Sequence, residues 1–496
     1  VSTPTDTHET GHEMDVLPAA YIRGTWQMGD EAVTVTDSAD GTTVGEVSLG
    51  STEQAAAAVR AAHEAFPAWS ATTLAERKNI LRALMTGLQG RSQRIADSAT
   101  AEVGSVSAFS LRVQAGLPVR ALEGTIDAMD AIAEVEDIGT SRVQGLPIGV
   151  VAAIAPWNYP LYQIMGKLAP ALAAGCTVVV KPPQQAPLTV YDLVAELENA
   201  GVPAGVVNVV QGRGPVVGEA FADHPLVDMV SFTGSTAAGS RIAEVAARSV
   251  KKVALELGGK SANVFAADAD LDRAIPGAVR YFLMNNGQTC SALTRLIVPR
   301  SLAAEVEERL TAEVEAQVVG DPRDAQTTVG PLVSAAQRRT VEGYIRKGLG
   351  GEGRLLAGGL DLPAEFQDGH YVLPTVFTDV DPKATIAQEE IFGPVLVVHV
   401  VDDEEEAIRV ANDSPYGLSG GVWSADEERA VAIARRIRTG QVSINGAPFN
   451  AAAPFGGFKQ SGYGRELGRH GIAEYLSPQS LQFPAHREAE ETRERP

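Results

Sequence analysis

The chain has 496 residues, well past the roughly 250 to 300 at which one hydrophobic core stops growing, so at least two domains are expected. Its 45% hydrophobic and 21% charged content is that of a globular protein and excludes a disordered or fibrous chain. With 62 acidic residues against 41 basic ones the formal charge is −21, a field that repels phosphate backbones and anionic membranes and argues against nucleic acid or membrane as a partner.

Val1 to Asp15 is polar, lacks a basic-then-apolar pattern, and reads as a loose tail and not as a secretory signal. Glu53 to Trp69 and Ala75 to Ala101 are alanine-rich, with apolar residues at three- and four-residue intervals, and predict two amphipathic surface helices. From Gly149 short β-branched runs alternate with helical stretches: Gly149 to Ala155, Thr177 to Lys181, Val206 to Val210, Met229 to Thr233 and Val253 to Leu257. This alternation predicts a mostly parallel, doubly wound sheet. The apolar run Leu168 to Val180 is broken by Pro170 and Gly175 and falls short of the ~20 residues that span a bilayer. A second α/β set follows Gly259, with strands at Asn263 to Phe265, Leu296 to Val298 and Val395 to Val401 and a helix around Leu271 to Asn286. Leu332 to Asp368 is glycine-bearing and poorly periodic and reads as surface helix and loop, and the Glu- and Arg-rich tail from His486 is expected to fray.

The two cysteines, Cys176 and Cys290, supply neither a disulfide framework nor the paired spacing that holds zinc, so no metal is expected and a reducing cytoplasm fits. In α/β sheets ligands gather beyond the carboxyl ends of strands, which points to four segments: Pro156 to Pro160, Lys181 to Gln184, Thr233 to Thr236 and Glu256 to Lys260. Gly287-Gln288-Thr289-Cys290 ends a helix through a glycine turn, where a thiol can face a cleft. On composition alone Cys290 has an alternative as a buried core cysteine, the reading Cys176 keeps. Glu256 has one as half of an ordinary ion pair, and Ser235 and Thr236 as plain helix caps. Gly212-Arg213-Gly214 with Gly218 is only a fragment of a dinucleotide fingerprint. Gly259-Lys260-Ser261 is not a P-loop, because Ala254 stands where that motif needs its first glycine.

Taken in order, Pro156 to Pro160, Lys181-Pro182, Phe232 to Thr236, Glu256 to Lys260, Gly287 to Cys290, Glu390 to Pro394 and Pro454 to Lys459 resemble the aldehyde dehydrogenase superfamily, from about Tyr21 to about Gln482. The resemblance implies an α/β architecture: a doubly wound dinucleotide-binding domain (1–124 and 147–257), a second α/β catalytic domain (258–460), and a small β oligomerisation arm with the C-terminal tail (125–146 and 461–496). The helix Arg120 to Ala133, the strand Thr140 to Leu146 and the segment Glu474 to Gln482 resemble that arm, so a homodimer or homotetramer is expected.

For chemistry the resemblance implies oxidation of an aldehyde to the acid through a thiohemiacetal and a thioester on Cys290. Asn158 and the Cys290 amide would hold the oxyanion, Glu256 would activate water, and Lys167 and Glu466 match positions linked to proton relay or to site order. Cofactor positions are Trp157, Lys181, Gln184, Gly234, Ser235, Leu257, Glu390 and Phe392. Gln184 stands where many NAD-preferring relatives carry a glutamate, so no charge opposes a 2′-phosphate and both NAD and NADP are expected. Substrate positions are Tyr159, Tyr162, Gln163, Gly166, Met284, Thr289, Ser291, Phe449 and Phe455, a mainly apolar tunnel widened at Gly166, where many relatives have a bulky aromatic. The competing readings are a coenzyme-A-acylating semialdehyde dehydrogenase, against which Glu256 weighs, and a cysteine hydrolase or acyltransferase, against which the absence of histidine from every motif weighs.

Overall fold

The structure is a computed structural model that describes residues 16–133, 135–366 and 369–484. The expected N-terminal tail to Asp15 and the tail from His486 lie outside the described residues.

Two large sheets organise the chain. The first has eight strands in the order Gly462–Tyr463, Lys252–Glu256, Met229–Thr233, Val150–Ile154, Thr177–Lys181, Val207–Val210, Ala20–Ile22 and Thr25–Gln27. Its five central strands run parallel, and both edges are antiparallel. Alternate residues feed opposite cores: Val151, Ala153, Val178 and Val180 enter one apolar cluster, and Val150, Ala152, Ile154 and Val179 the other. Burial on both faces is why these strands are continuous β-branched runs and not alternating ones.

The second sheet has seven strands, in the order Arg354–Ala357, Thr375–Thr378, Val395–Val401, Arg295–Pro299, Ala262–Phe265, Ser419–Trp423 and Gln441–Ile444. All its pairings are parallel except that between Arg354–Ala357 and Thr375–Thr378. A three-stranded antiparallel sheet of Leu476–Gln482, Ser141–Pro147 and Glu136–Ile138 stands at the periphery, with Ile138, Leu146 and Leu481 exposed.

Several elements differ from expectation. Ala75 to Ala101 is two helices, Leu74–Gly90 and Ser92–Val103, parted at Arg91. The helix from Leu271 stops at Phe282, because Asn285, Asn286 and Gly287 all take left-handed backbone angles. The stretch read as surface helix and loop holds the helix Ala335–Lys347 and the edge strand Arg354–Ala357. Gly462–Tyr463, grouped by sequence with the C-terminal arm, pairs with the edge of the first sheet.

In the parallel part of the first sheet the chain starts at Val150–Ile154, runs outward on one side through Thr177–Lys181 and Val207–Val210, and returns to the other side at Met229–Thr233, so the strand order reverses between Val150–Ile154 and Met229–Thr233. The carboxyl ends at such a reversal open a crevice. The segments after Ile154, Thr233 and Glu256 meet there. Among the described residues, no helix is long and apolar enough to cross a membrane.

Candidate active site

The nucleophile loop is built on three consecutive left-handed residues, Asn285 (φ 53°), Asn286 (φ 58°) and Gly287 (φ 79°). Asparagine tolerates this region because its short amide bonds nearby backbone. Gly287 has no substitute: a Cβ there would lie 2.2 Å from the carbonyl carbon of Gly393. Buried amides then fasten the loop to distant segments. Asn286 Nδ2 donates to the carbonyls of Gly104 (2.7 Å) and Pro331 (2.9 Å), and its Oδ1 accepts from Gly330 N–H at 2.9 Å. Gln288 donates to Val103 O at 3.2 Å and accepts from Val333 N–H at 2.9 Å. The half-buried Cys290 is thereby set against the strand end at Gly259, whose missing Cβ would fall 2.4 Å from Cys290 O.

Asn158 follows the central strand Val150–Ile154 and is 2% exposed. Its Nδ2 donates to Gln288 O at 3.0 Å, which leaves the second amide hydrogen for the crevice, and its Oδ1 has no partner. Its main-chain carbonyl accepts from Gln114 Nε2 and from Asn285 Nδ2, both at 2.9 Å, so the loop carrying the thiol and the segment carrying the amide are locked together.

Glu256 ends the strand Lys252–Glu256, is 3% exposed, and neither carboxyl oxygen has a hydrogen-bond partner. Burial first, then the Glu466 carboxylate, push its pKa up to about 8, while Lys167 and the nearby Cys290 thiol work in the opposite direction. Burial and the Glu256 and Glu390 carboxyls in turn raise the Cys290 thiol well above its usual value. Burial thus favours the protonated form of both members of the pair. Behind it Lys167 Nζ, fully buried, donates to Thr233 Oγ1 and Glu466 Oε1, each at 2.5 Å.

A second corner of the crevice collects the expected cofactor residues. Lys181, at the end of the neighbouring strand, is 5% exposed and donates to Pro182 O at 2.7 Å. Burial lowers its pKa to about 8. Ser235 caps the helix Thr236–Ala247, its Oγ accepting from Ala238 N–H at 3.3 Å, so the Thr236 and Ala237 amides point forward with no carbonyl a turn earlier to take them. Gly234 N–H donates to Glu256 O at 3.1 Å, Leu257 packs over Gly239, and Gln184 is half-buried beyond Lys181. Trp157 and Phe392 meet edge to face with centroids 5.3 Å apart, and Phe392 takes a left-handed φ of 58°. Glu390 Oε1 accepts from Gly259 N–H at 2.9 Å, and burial raises this carboxyl to about 7. Gly218, from the partial glycine fingerprint, lies where a Cβ would be 3.7 Å from Lys181 Cδ, whereas Arg213 is turned outward to Glu31 at 2.7 Å. Forward amides for a pyrophosphate, an ammonium with two donors to spare and an aromatic pair suit a dinucleotide.

The third wall is apolar. Tyr159, Tyr162 and Phe455 cluster with Leu117, Ala121, Leu418, Ala451 and Leu467, and Cys290 packs against them with Phe109 and Val113. Tyr159 shares a hydrogen bond with Thr289 Oγ1 at 2.7 Å, and Phe449, 43% exposed, sits edge-on to Phe455 at the outer end. Met284 and Ser291 are half-buried on the nucleophile loop outside this cluster, as are the buried Gln163 and Gly166 on the helix Pro160–Ala174. Sequence reasoning missed Phe109, Val113, Leu117 and Ala121. Their signal was the spacing of four, which puts all of them on one helical face. It also assigned no role to Gln114, Asn285, Asn286 and Gln288, which tie the site to segments far away in the chain. Lys260 is a further buried group, its ammonium without a hydrogen-bond partner and its pKa lowered to about 7 by burial and then by Arg295.

Residues 26–481 match the aldehyde dehydrogenase family. The chain is similar to a 3-succinoylsemialdehyde-pyridine dehydrogenase from a Pseudomonas species, 45% identical over 92% of this chain and 96% of that protein. A geranial dehydrogenase from Castellaniella defragrans is 43% identical over 88% and 92% of the two chains. Among solved structures, a mutant of aldehyde dehydrogenase C from Pseudomonas syringae complexed with NAD+ and octanal superposes with a TM-score of 0.93 at 40% identity, covering 95% of this chain and 98% of that one.

Proposed function

The chain belongs to the aldehyde dehydrogenase family, and from that premise we propose that it oxidises an aldehyde to the carboxylic acid, with NAD or NADP as the electron acceptor and Cys290 as the nucleophile. The observation that carries this reading is the buried, unpartnered carboxyl of Glu256 beside the Cys290 thiol, at the strand-order reversal of a doubly wound sheet. A buried polar group is rarely left without a partner unless a ligand or a reaction step uses it.

Cys290 releases its thiol proton to solvent, the thiolate adds to the aldehyde carbon, and the oxygen takes up the negative charge. The free Nδ2 hydrogen of Asn158 and the Cys290 amide are the donors that meet this oxyanion. A bound nicotinamide would supply the hydride acceptor, and loss of hydride from the carbon held on Cys290 would leave a thioester on the sulfur. Lys181, Gln184, Gly234, Ser235, Glu390 and the Trp157–Phe392 pair are the residues that would hold the cofactor, and nothing at Gln184 repels a 2′-phosphate. Ionised Glu256 then removes a proton from water, the hydroxide adds to the thioester carbon, and collapse expels the Cys290 thiolate with release of the acid. A base placed for this step supports hydrolysis over transfer to coenzyme A. The aromatic wall suits an apolar aldehyde. The exposed peripheral sheet supports pairing with a second copy, as homodimer or homotetramer, and the reading extends to a cytoplasmic enzyme with its lone reactive thiol kept reduced.

The test follows reduced nicotinamide with a panel of aldehydes, with NAD and with NADP, with and without coenzyme A. Turnover that does not depend on coenzyme A and disappears in Cys290→Ser is expected, and unchanged turnover in that variant refutes the mechanism. Both cofactors should work, and a preference for NAD beyond about a thousandfold, roughly 4 kcal/mol, overturns the inference from Gln184.

A further inference from the structure

Besides Asn158 Oδ1 and the Glu256 oxygens, three polar atoms of this region lack a hydrogen-bond partner: the Tyr162 hydroxyl, Gln163 Oε1 and Glu466 Oε2. Their residues are 5%, 2% and 7% exposed. Gly166 is the point in the fold to which all three residues are close. Tyr162 and Gln163 precede it by four and three residues on the helix Pro160–Ala174, so they share its face. Helical side chains lean toward the helix N-terminus, so the volume that a side chain at 166 would fill lies over the turn carrying Tyr162 and Gln163. On the far side, a Cβ at Gly166 would stand 3.1 Å from Glu466 Oε2. Tyr162 belongs to the apolar cluster that contacts Cys290, which places this space beside the reacting sulfur.

We propose that Tyr162, Gln163 and Glu466, grouped about Gly166, form a polar subsite that takes a hydroxyl group of the aldehyde substrate; this rests on aldehyde oxidation at Cys290 and names the substrate class. The donor and acceptor balance selects that group. Burial, then the Glu466 carboxylate and the Cys290 thiol, hold the Tyr162 phenol well above its usual range, so it stays a donor. Glu466 Oε1 is taken by Lys167, which leaves Oε2 as an acceptor. A hydroxyl accepts from Tyr162 and donates to Glu466 or Gln163, whereas a ketone or ether oxygen can only accept and a methylene does neither. A cationic group gains little, because Lys167 already balances the Glu466 charge.

The experiment compares kcat/KM for butanal and its chain-matched monohydroxy derivatives in the wild type, Tyr162→Phe and Gly166→Ala. The wild type should favour at least one hydroxylated isomer over butanal. That preference should fall about tenfold or more in Tyr162→Phe, because a site built to bond a hydroxyl loses discrimination when its partner is removed. It should also fall in Gly166→Ala, whose methyl would stand 3.1 Å from Glu466 Oε2 and crowd the acceptor. No preference in the wild type, or one that survives Tyr162→Phe, overturns the proposal. An equal drop for every aldehyde means that the polar groups serve water only, and also overturns it. Inertness of the wild type toward butanal and all its derivatives overturns the subsite, and inertness toward the whole aldehyde panel overturns the proposed activity, a result distinct from a lost preference.

Discussion

Glu256 owes its acid strength to burial before any other influence, and this fixes how the site should respond to pH. Its basic form grows as pH rises through about 8, so the hydrolytic step should accelerate up to that point and level off above it. Glu256→Gln should remove the rising limb and lower the steady rate about 10²–10⁴-fold, while a single-turnover burst of reduced cofactor remains. Rapid-mixing measurements across pH check this, and a variant that loses the burst along with the steady rate contradicts the assignment. At this scale the proposed trio of Cys290, Glu256 and Asn158 could be picked out before the fold because each sits in a short motif at a strand or helix end. The Gln114 bond to the Asn158 carbonyl could not, since a lone glutamine acquires that role only through a fold that brings in a partner 44 positions away.

Elements were legible where periodicity and burial coincide. The β-branched runs of the first sheet are strands because both of their faces are buried, and their bounds fall within a residue or so of those expected. The helix pair Leu74–Gly90 and Ser92–Val103 was read as one because Leu84, Leu88 and Ile95 keep a helical spacing across the break and enter the same core. The nucleophile loop was harder, since apolar periodicity carries no information on left-handed asparagines. Its rigidity is testable through Asn286, whose side chain satisfies two buried carbonyls and one buried amide. Asn286→Ala leaves all three without that partner and should cost about 3 kcal/mol or more of stability. A lower thermal midpoint at fixed scan rate and a reduced kcat are expected, and a midpoint equal to wild type rejects the tether.

Across the whole molecule, two doubly covered sheets were legible from length and from the repeated strand-helix alternation. The return of Gly462–Tyr463 to the first sheet was not, because two residues carry no pattern of their own. The peripheral sheet leaves Ile138 and Leu481 exposed on strands where another chain can dock. The double variant Ile138→Asp, Leu481→Asp should shift the sedimenting species to the monomer mass with unchanged circular dichroism, and an unaltered mass removes this surface from the assembly.

The last stretch of chain links parts of the protein that would otherwise be remote. Within some twenty residues it hydrogen-bonds to the strand that bears Glu256, supplies Glu466 to the crevice, and runs on as Leu476–Gln482 into the peripheral sheet. In the proposed oligomer, separation of the subunits would therefore act on the crevice through this stretch. Specific activity should decline on dilution in step with dissociation, through kcat and not through affinity for the aldehyde.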